Sequence, residues 1–385
     1  MKRTLQFILI TLLSITLISV ISLSGCKDKT APAEEVEEVA EEIEAEVTET
    51  EETEGVSETE EVVITDVKQI APDNIPADWK IPATIGHITN FLIHEWYQNI
   101  TLGEKARCDD FGIEFSTNDA NLDLQKSLAA LDDYVSKGID VIVFTPVNEE
   151  ASGPAVCNAV EKGAVVICES SPVDCMTTLV AADDYANGKK VGIWAGEDIK
   201  DNFDGVDIVV LDIGLPALST TVARSEGFRD GLTSIVPDAK FVSVDGKGVK
   251  DEAVKVAADA LTANPDVNVI FGINDDSTLG GIQAYQAGGF DEDKFIGAFS
   301  TDFGGKLGKN SLLEGGHYKA VTAMFPEMNG WLLINTAIAV YNGMDLPEHI
   351  VSPSAVVTID NFSDYYTQDG DEYLINFEAV NQISD

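Results

Sequence analysis

The stretch that most restricts the fold is residues 267–289. Val269, Ile270, Phe271 and Ile273 form the short apolar run that a parallel strand buried on both faces requires. The run halts at Asn274-Asp275-Asp276, and Leu279, Ile282, Tyr285 and Gln286 then follow at helical spacing up to Gly288-Gly289. Short polar side chains are thereby set where a strand ends and a helix begins. Open α/β sheets hold small ligands at such places. Capping of the helix by Asn274 or Asp275 accounts for the same residues, so repetition along the chain has to decide.

The pattern does repeat. Strand-like runs fall at 84–88, 113–116, 139–144 and 165–168, with a helix carrying Leu124, Leu128, Leu131 and Val135 up to Gly138. A short run at 179–182 and a helix through Val191 and Trp194 come next. A second set then begins, with strands at 208–213, 241–244, 267–273 and 295–299. Helices bearing Phe228, Leu232 and Ile235, then Ala253, Ala257 and Leu261, connect them. Alternating elements imply parallel sheets with helices on both faces and right-handed crossovers. The fold class expected is therefore α/β, two doubly wound parallel-sheet lobes. A further strand at 320–324 breaks at Phe325-Pro326, and a helix with Met328, Trp331, Leu332, Asn335 and Ile338 follows. The layout expected is a first lobe from 81–182 plus about 325–350, and a second from 183–324 plus about 351–385. Several crossings between such lobes act together as a hinge.

At the start, Lys2 and Arg3 precede an apolar run at 5–23 and then Leu23-Ser24-Gly25-Cys26. A basic end, an apolar stretch and small residues make an export signal over residues 1–25. The L-S-G-C ending resembles the bacterial lipobox, which implies cleavage before Cys26 and lipidation of its thiol. An uncleaved anchor is the other reading. Residues 31–66 hold sixteen Asp and Glu and no Lys or Arg. Such a segment buries too little apolar surface to fold, and its charge extends it. Residues 26–80 therefore read as a lipidated Cys and an acidic tether, although Val36, Val39 and Ile43 are spaced for a local helix. The formal charge of −43 leaves the remainder acidic as well. That argues against nucleic acid and anionic lipid surfaces as partners.

Enzyme readings fail on the residues present. Four histidines, at 87, 94, 317 and 349, form no H-E-x-x-H pair or other metal spacing. Gly304 to Asn310 is no Walker loop, because Phe303 and Asn310 stand where Gly and Ser or Thr are needed, and no G-x-S-x-G elbow occurs. No cofactor is expected. Besides Cys26, the cysteines are Cys108, Cys157, Cys168 and Cys175, without a C-x-x-C pattern. Cys168 and Cys175 are near enough in sequence to bridge, and unpaired buried thiols fit equally well.

Asn274-Asp275-Asp276-Ser277-Thr278-Leu279-Gly280-Gly281 resembles the N-D-x-x-x-L-G segment of periplasmic sugar-binding proteins of the ribose-binding type. Residues 138–147, with Thr145-Pro146, are similar to that family's third strand and loop. Ala182-Asp183-Asp184-Tyr185 resembles its interlobe crossing, and Arg224-Ser225-Glu226-Gly227-Phe228 the helix with its ligand arginine. The likeness spans about residues 82–345. It implies the type I periplasmic binding protein fold and a ligand site between the lobes.

By that resemblance Arg224 donates paired hydrogen bonds to sugar hydroxyls, and the Asn274 amide both gives and accepts. Thr145 stands where many members have Asn, and Glu169 or Ser170 where they present an Asp. Asn90, Phe91 and Trp96 fall in the segment whose aromatic rings stack on the sugar, while ordinary packing also explains Phe91 and Trp96. Two departures matter. After Phe299, Ser300 replaces the family's Asp unless Asp302 reaches back, and Met324 replaces a Gln. With an apolar Met there, a deoxy sugar, methylated sugar, polyol or cyclitol is favoured over ribose.

The resemblance implies a solute-binding lipoprotein of an ABC-type importer, partnered with a membrane permease. The alternative is a receptor of the same fold that presents a sugar or furanosyl signal molecule to a membrane sensor. A repressor of the same core would need a DNA-binding helix pair where the export signal stands.

Overall fold

A computed structural model describes residues 62–383. The export signal, Cys26 and the acidic stretch up to residue 61 lie outside the described residues. Strand β1 (Thr84–Thr89) sits between β2 (Glu114–Asp119) and β3 (Val141–Phe144), followed by β4 (Val165–Glu169) and β5 (Leu179–Ala181). The second sheet repeats the order, with β6 (Val209–Gly214) between β7 (Lys240–Asp245) and β8 (Val269–Gly272), then β9 (Gly297–Asp302) and β10 (Tyr318–Ala323). β11 (His349–Val351) extends the first sheet in parallel beside β5, and β12 (Ala355–Thr358) extends the second antiparallel beside β10. All other pairings within the two sheets are parallel.

β3 and β8 are buried at every residue, which is why each reads as an unbroken apolar run. The helices α1 (Glu95–Phe111), α2 (Leu124–Lys137), α3 (Glu149–Glu161), α4 (Asp184–Asn202) and α5 (Ser219–Ile235) follow β1, β2, β3, β5 and β6. So do α6 (Lys250–Ala263), α7 (Asp275–Ala287), α8 (Lys306–Glu314) and α9 (Pro326–Tyr341). Short polar residues start several of them by binding free backbone N–H groups: Asp123, Asn148, Asp183 and Asn274 each accept from the first turn that follows.

The chain passes between the sheets three times, after β5, after β10 and between β11 and β12. The first two crossings exchange helices. α4 follows the first sheet yet packs on β9, β10 and β12, and α9 follows the second yet packs on β3, β4 and β5. Each crossing helix is held against a partner by glycine. A Cβ on Gly227 of α5 would lie 2.1 Å from the Tyr185 carbonyl of α4, and one on Gly188 of α4 would lie 2.1 Å from the Arg224 carbonyl. Gly103 of α1 and Gly330 of α9 make the corresponding approach.

Three expectations need correction. The tether does not extend to residue 80, because Val67 and Ile70 are buried and Asn335 of α9 donates to both of their carbonyls. The C-terminal tail belongs to neither lobe alone. It forms α10 (Phe362–Tyr365), the hairpin β13 (Tyr366–Asp369) and β14 (Glu372–Ile375), and α11 (Phe377–Asn381). Phe362 and Tyr366 pack on Phe303 beyond β9, while α11 touches α9 and Lys68 donates to the Ile383 carbonyl. Finally, Cys157 of α3 bridges Cys175, and Cys168 is not involved. Cys168, the penultimate residue of β4, is fully buried in the core, whereas Cys175 lies in the loop beyond that strand.

Replacing Gly227 by Ala should lower unfolding free energy by about 1–3 kcal/mol in urea titrations, since the helices must separate to admit the methyl group. Gly153→Ala, whose new atom would meet nothing closer than 3.5 Å, should cost nothing measurable. Equal effects from the two would show that the α4–α5 contact is not close-packed.

Candidate functional site

In a sheet ordered 2-1-3-4-5, the loops beyond the carboxyl ends of the first and third strands diverge and leave a crevice. Here two such crevices face each other. Asn90 follows β1, Pro146 follows β3, Leu215 follows β6 and Asn274 follows β8, and all four line one cavity of about 520 Å³ between the sheets. The lobes also touch directly: Ser219 donates to Glu149 at 3.4 Å, and Asn99 donates to the Gly304 carbonyl at 2.9 Å.

Nine of the twelve residues expected at the site line this cavity: Asn90, Phe91, Trp96, Glu169, Ser170, Arg224, Asn274, Asp302 and Met324. The other three stand behind it. Phe299 is buried within the second sheet's core beside Trp194 and Phe228. Ser300 is buried with its hydroxyl on the Thr301 carbonyl. The carboxylate comes from Asp302 instead, two residues on. Asp302 and Phe303 hold φ of 90° and 64°, a left-handed backbone that ends β9 and that non-glycine residues adopt only under local constraint. Thr145 is the third; it is fully buried and supports Glu169.

That support belongs to a longer chain. Thr145 donates to Glu169 Oε2 at 2.9 Å, so His87 Nε2 must donate to Thr145 Oγ1, which it meets at 2.8 Å. His87 Nδ1 lies 2.8 Å from Glu104. Burial opposes the His87 cation, but Glu104 and Glu169 together more than offset it and raise the imidazole. Glu169 Oε1 accepts from Asn329 of α9 at 3.2 Å, and Asn329 accepts from Ser352 at 2.6 Å in the third crossing. Glu169 therefore joins the cavity wall to the hinge. Burial raises its carboxyl to about 7, with His87 and Thr145 pulling the other way.

Arg224 is fixed before any ligand arrives. Its Nε donates to Asp184 at 2.6 Å and its Nη1 to the Ile273 carbonyl at 3.0 Å. Asp184, which sequence reasoning did not single out as a site residue, lines the cavity. The signal was available, since a buried guanidinium requires a carboxylate and Asp184 begins the helix after the first crossing. His94, Tyr97 and Lys247 were also missed. Asn274 combines both of its readings: its oxygen caps α7 by accepting from Ser277, and its amide donates to the Gly248 carbonyl, while its side chain walls the cavity.

The wall carries Glu149, Glu150, Glu169, Asp184 and Asp302 against Arg224 and Lys247, and Arg224 is already paired. It suits donors and neutral polyhydroxy molecules better than anions. No cluster of metal-ligating side chains occurs among the described residues, and no helix there is long and apolar enough to cross a membrane.

Burial also raises the Asp275 carboxyl, at the start of α7, to about 8, with Asp302 adding to the effect. The unfolded chain releases these protons near about pH 4. Stability tied to keeping Glu169 and Asp275 protonated is thus intact below that pH and is lost as pH rises through about 7 and about 8. The melting temperature should fall between about pH 4 and pH 8, and Glu169→Gln should flatten that slope. An unchanged slope in the variant would show that Glu169 does not hold a proton there.

The family described as periplasmic binding protein domain matches residues 85–345. The Escherichia coli K12 protein named ABC transporter periplasmic-binding protein YphF is 26% identical over 292 residues, 72% of this chain and 85% of its own. The ribose import binding protein RbsB of Bacillus subtilis is 23% identical over 74% of this chain and 92% of its own. Among solved structures, an ABC transporter solute binding protein from Mycobacterium smegmatis with bound glycerol superposes with a TM-score of 0.67 at 25% identity. That alignment covers 75% of this chain and 98% of the other. With a match over most of its length and two parallel-sheet lobes facing across one cleft, the chain belongs to the periplasmic binding protein domain family, exported proteins of the type I fold that bind substrates and are not enzymes.

Proposed function

We propose that this protein captures a neutral monosaccharide or related polyol between its lobes and delivers it to an ABC-type importer, while a lipid on Cys26 holds it at the outer face of the cell membrane. The observation that carries the reading is the cavity wall, which opposes the aromatic residues Phe91 and Trp96 to the polar ends of Arg224, Asn274, Asp302 and Glu169. Rings offer their faces to the C–H surface of a sugar, and the polar groups fix which hydroxyl points where. A volume of about 520 Å³ accepts a single ring with bound water.

Relatives support the substrate class, being named for ribose, xylitol and galactofuranose. Two sequence differences bear on which sugar. Asp302 restores the carboxylate that Ser300 lacks, so Met324 alone remains as an apolar replacement on the wall. A ligand with a deoxy or methylated position against Met324 fits best.

Binding and closure are one process. A molecule that touches both lobes has higher affinity for the closed form and shifts the population towards it. The lobes rotate about the three crossings near residues 182–184, 324–326 and 352–354, and a permease then reads the closed shape. Water leaves the cleft, and hydrogen bonds from Arg224 and Asn274 strengthen in its place.

Isothermal titration against pentoses, hexoses, deoxy sugars and polyols tests the reading. One of them should bind, and Arg224→Ala should weaken that sugar by about 2–5 kcal/mol, at least about thirtyfold in Kd. Tight binding that survives the substitution would place the ligand elsewhere.

A further inference from the structure

Asp302 and Met324, the cavity-wall residues that bear on which sugar fits, are built alike. Each stands where a strand ends, Asp302 closing β9 and Met324 following β10. Each is succeeded by a fully buried phenylalanine with left-handed backbone, Phe303 at φ 64° and Phe325 at φ 45°. Residues other than glycine keep such a conformation only where their surroundings hold them in it.

One side chain meets both phenylalanines. The Tyr366 ring centroid lies 5.7 Å from that of Phe303 and 5.8 Å from that of Phe325. Tyr366 is 2% exposed, and Phe362 stacks on it at 5.1 Å. Its hydroxyl has no hydrogen-bond partner among the described residues, so the ring is the part that makes the contacts. Tyr366 begins β13 in the C-terminal tail, outside the residues 85–345 that the family matches.

Two routes lead from that ring to Asp302. The Lys309 ammonium lies 4.9 Å from the Tyr366 centroid and 5.3 Å from that of Phe303. Lys309 is 3% exposed, and a cation removed from water needs electron-rich neighbours, which aromatic faces supply. Held there, its Nζ donates to the Phe303 and Gly304 carbonyls at 2.8 and 3.1 Å, and the Gly304 N–H donates to Asp302 Oδ1 at 3.1 Å. On the other route Phe325 follows Met324, whose N–H donates to the Asp302 carbonyl at 2.9 Å. Asp302 is thus gripped at its carbonyl and at its carboxylate by neighbours of the residues that Tyr366 packs on.

We propose that Tyr366 is a positioning residue for the binding site: its ring holds the left-handed turn at Asp302 and Phe303 that brings the carboxylate into the cleft. This rests on the sugar reading above and adds to it a determinant of specificity supplied by the tail. Ser300 leaves the earlier position without a carboxylate, and the tail supports the one that stands two residues on.

The test uses the mature chain and the free sugar that binds best in titrations of pentoses and hexoses. Tyr366→Leu keeps apolar bulk but removes the aromatic face and should weaken that sugar about tenfold, whereas Tyr366→Phe should restore the original affinity. Double-mutant cycles separate positioning from general loosening. Asp302→Gly removes the carboxylate and accepts the left-handed backbone. In that background Tyr366→Leu should weaken binding by no more than about twofold, and in an Arg224→Ala background it should keep its full effect. In sugar-free protein, amide hydrogen exchange at Gly304 and Met324 should quicken about tenfold in Tyr366→Leu, while Ser277, whose N–H donates to Asn274, keeps its rate. Lys309→Met removes the ammonium and should repeat the whole pattern, which serves if Tyr366→Leu does not fold. Unchanged affinity in Tyr366→Leu, an equal loss in the Asp302→Gly background, or a quickening shared by Ser277 would overturn the proposal. Failure of every sugar to bind the unaltered chain would instead sink the sugar reading, and the exchange rates alone then decide whether Tyr366 holds the turn.

Discussion

The contact on which the site depends is the pairing of Arg224 with Asp184 at 2.6 Å. Asp184 begins the helix that leaves the first crossing, and Arg224 sits on the helix packed against it. A second bond, from Nη1 to the Ile273 carbonyl, ties the guanidinium to the end of β8. An arginine free to swing would have to be ordered each time a ligand bound. One already held loses little rotamer freedom, and more of each hydrogen bond to the ligand remains as affinity. The glycine-lined approach of α4 to α5 makes this geometry possible, since wider helix separation would carry Arg224 away from Asp184.

Glu169 plays the matching part in the first lobe by a different route. Its two oxygens are occupied by Thr145 and Asn329, and Asn329 in turn holds Ser352 in the last crossing. Each lobe thus presents one anchored polar group to the cleft, and each anchor runs back to a crossing between the sheets. Moving either group would reach a crossing through one or two hydrogen bonds. Such a chain is two-state in character, because a buried hydrogen bond is either made or lost.

Much of the fold was legible in the residues, because buried parallel strands write themselves as apolar runs and glycine or a short polar residue marks each end. The strand–helix alternation, the two lobes and the late return of α9 all follow from that. The cavity wall was legible where a motif fixed the position, as at Arg224 and Asn274. It was less so where the direction of a side chain depends on how a strand finishes. Thr145 lies just past the end of β3, whereas β9 runs on to Asp302 and so leaves Phe299 and Ser300 inside the strand and buried; a shift of one or two residues in where a strand ends turns a side chain from the cleft to the core. The left-handed backbone at Asp302 that brings a carboxylate forward leaves no pattern in composition. Nor do Val67 and Ile70, which dock a single turn too short to show periodicity. Contacts between segments far apart in sequence, such as the tail on both lobes and Cys157 on Cys175, are set by tertiary geometry alone.

The bridge between Cys157 and Cys175 has a bearing on where the protein becomes competent. It encloses β4 and the turn that presents Glu169 and Ser170. Thiols stay reduced in the bacterial cytosol and pair outside it. A chain still awaiting secretion therefore carries one wall of its cleft unstapled, with the packing of α3 and the hydrogen bonds of Glu169 to Thr145 and Asn329 to keep the turn in shape. Passage through the membrane therefore completes the bridge that staples this wall of the cleft.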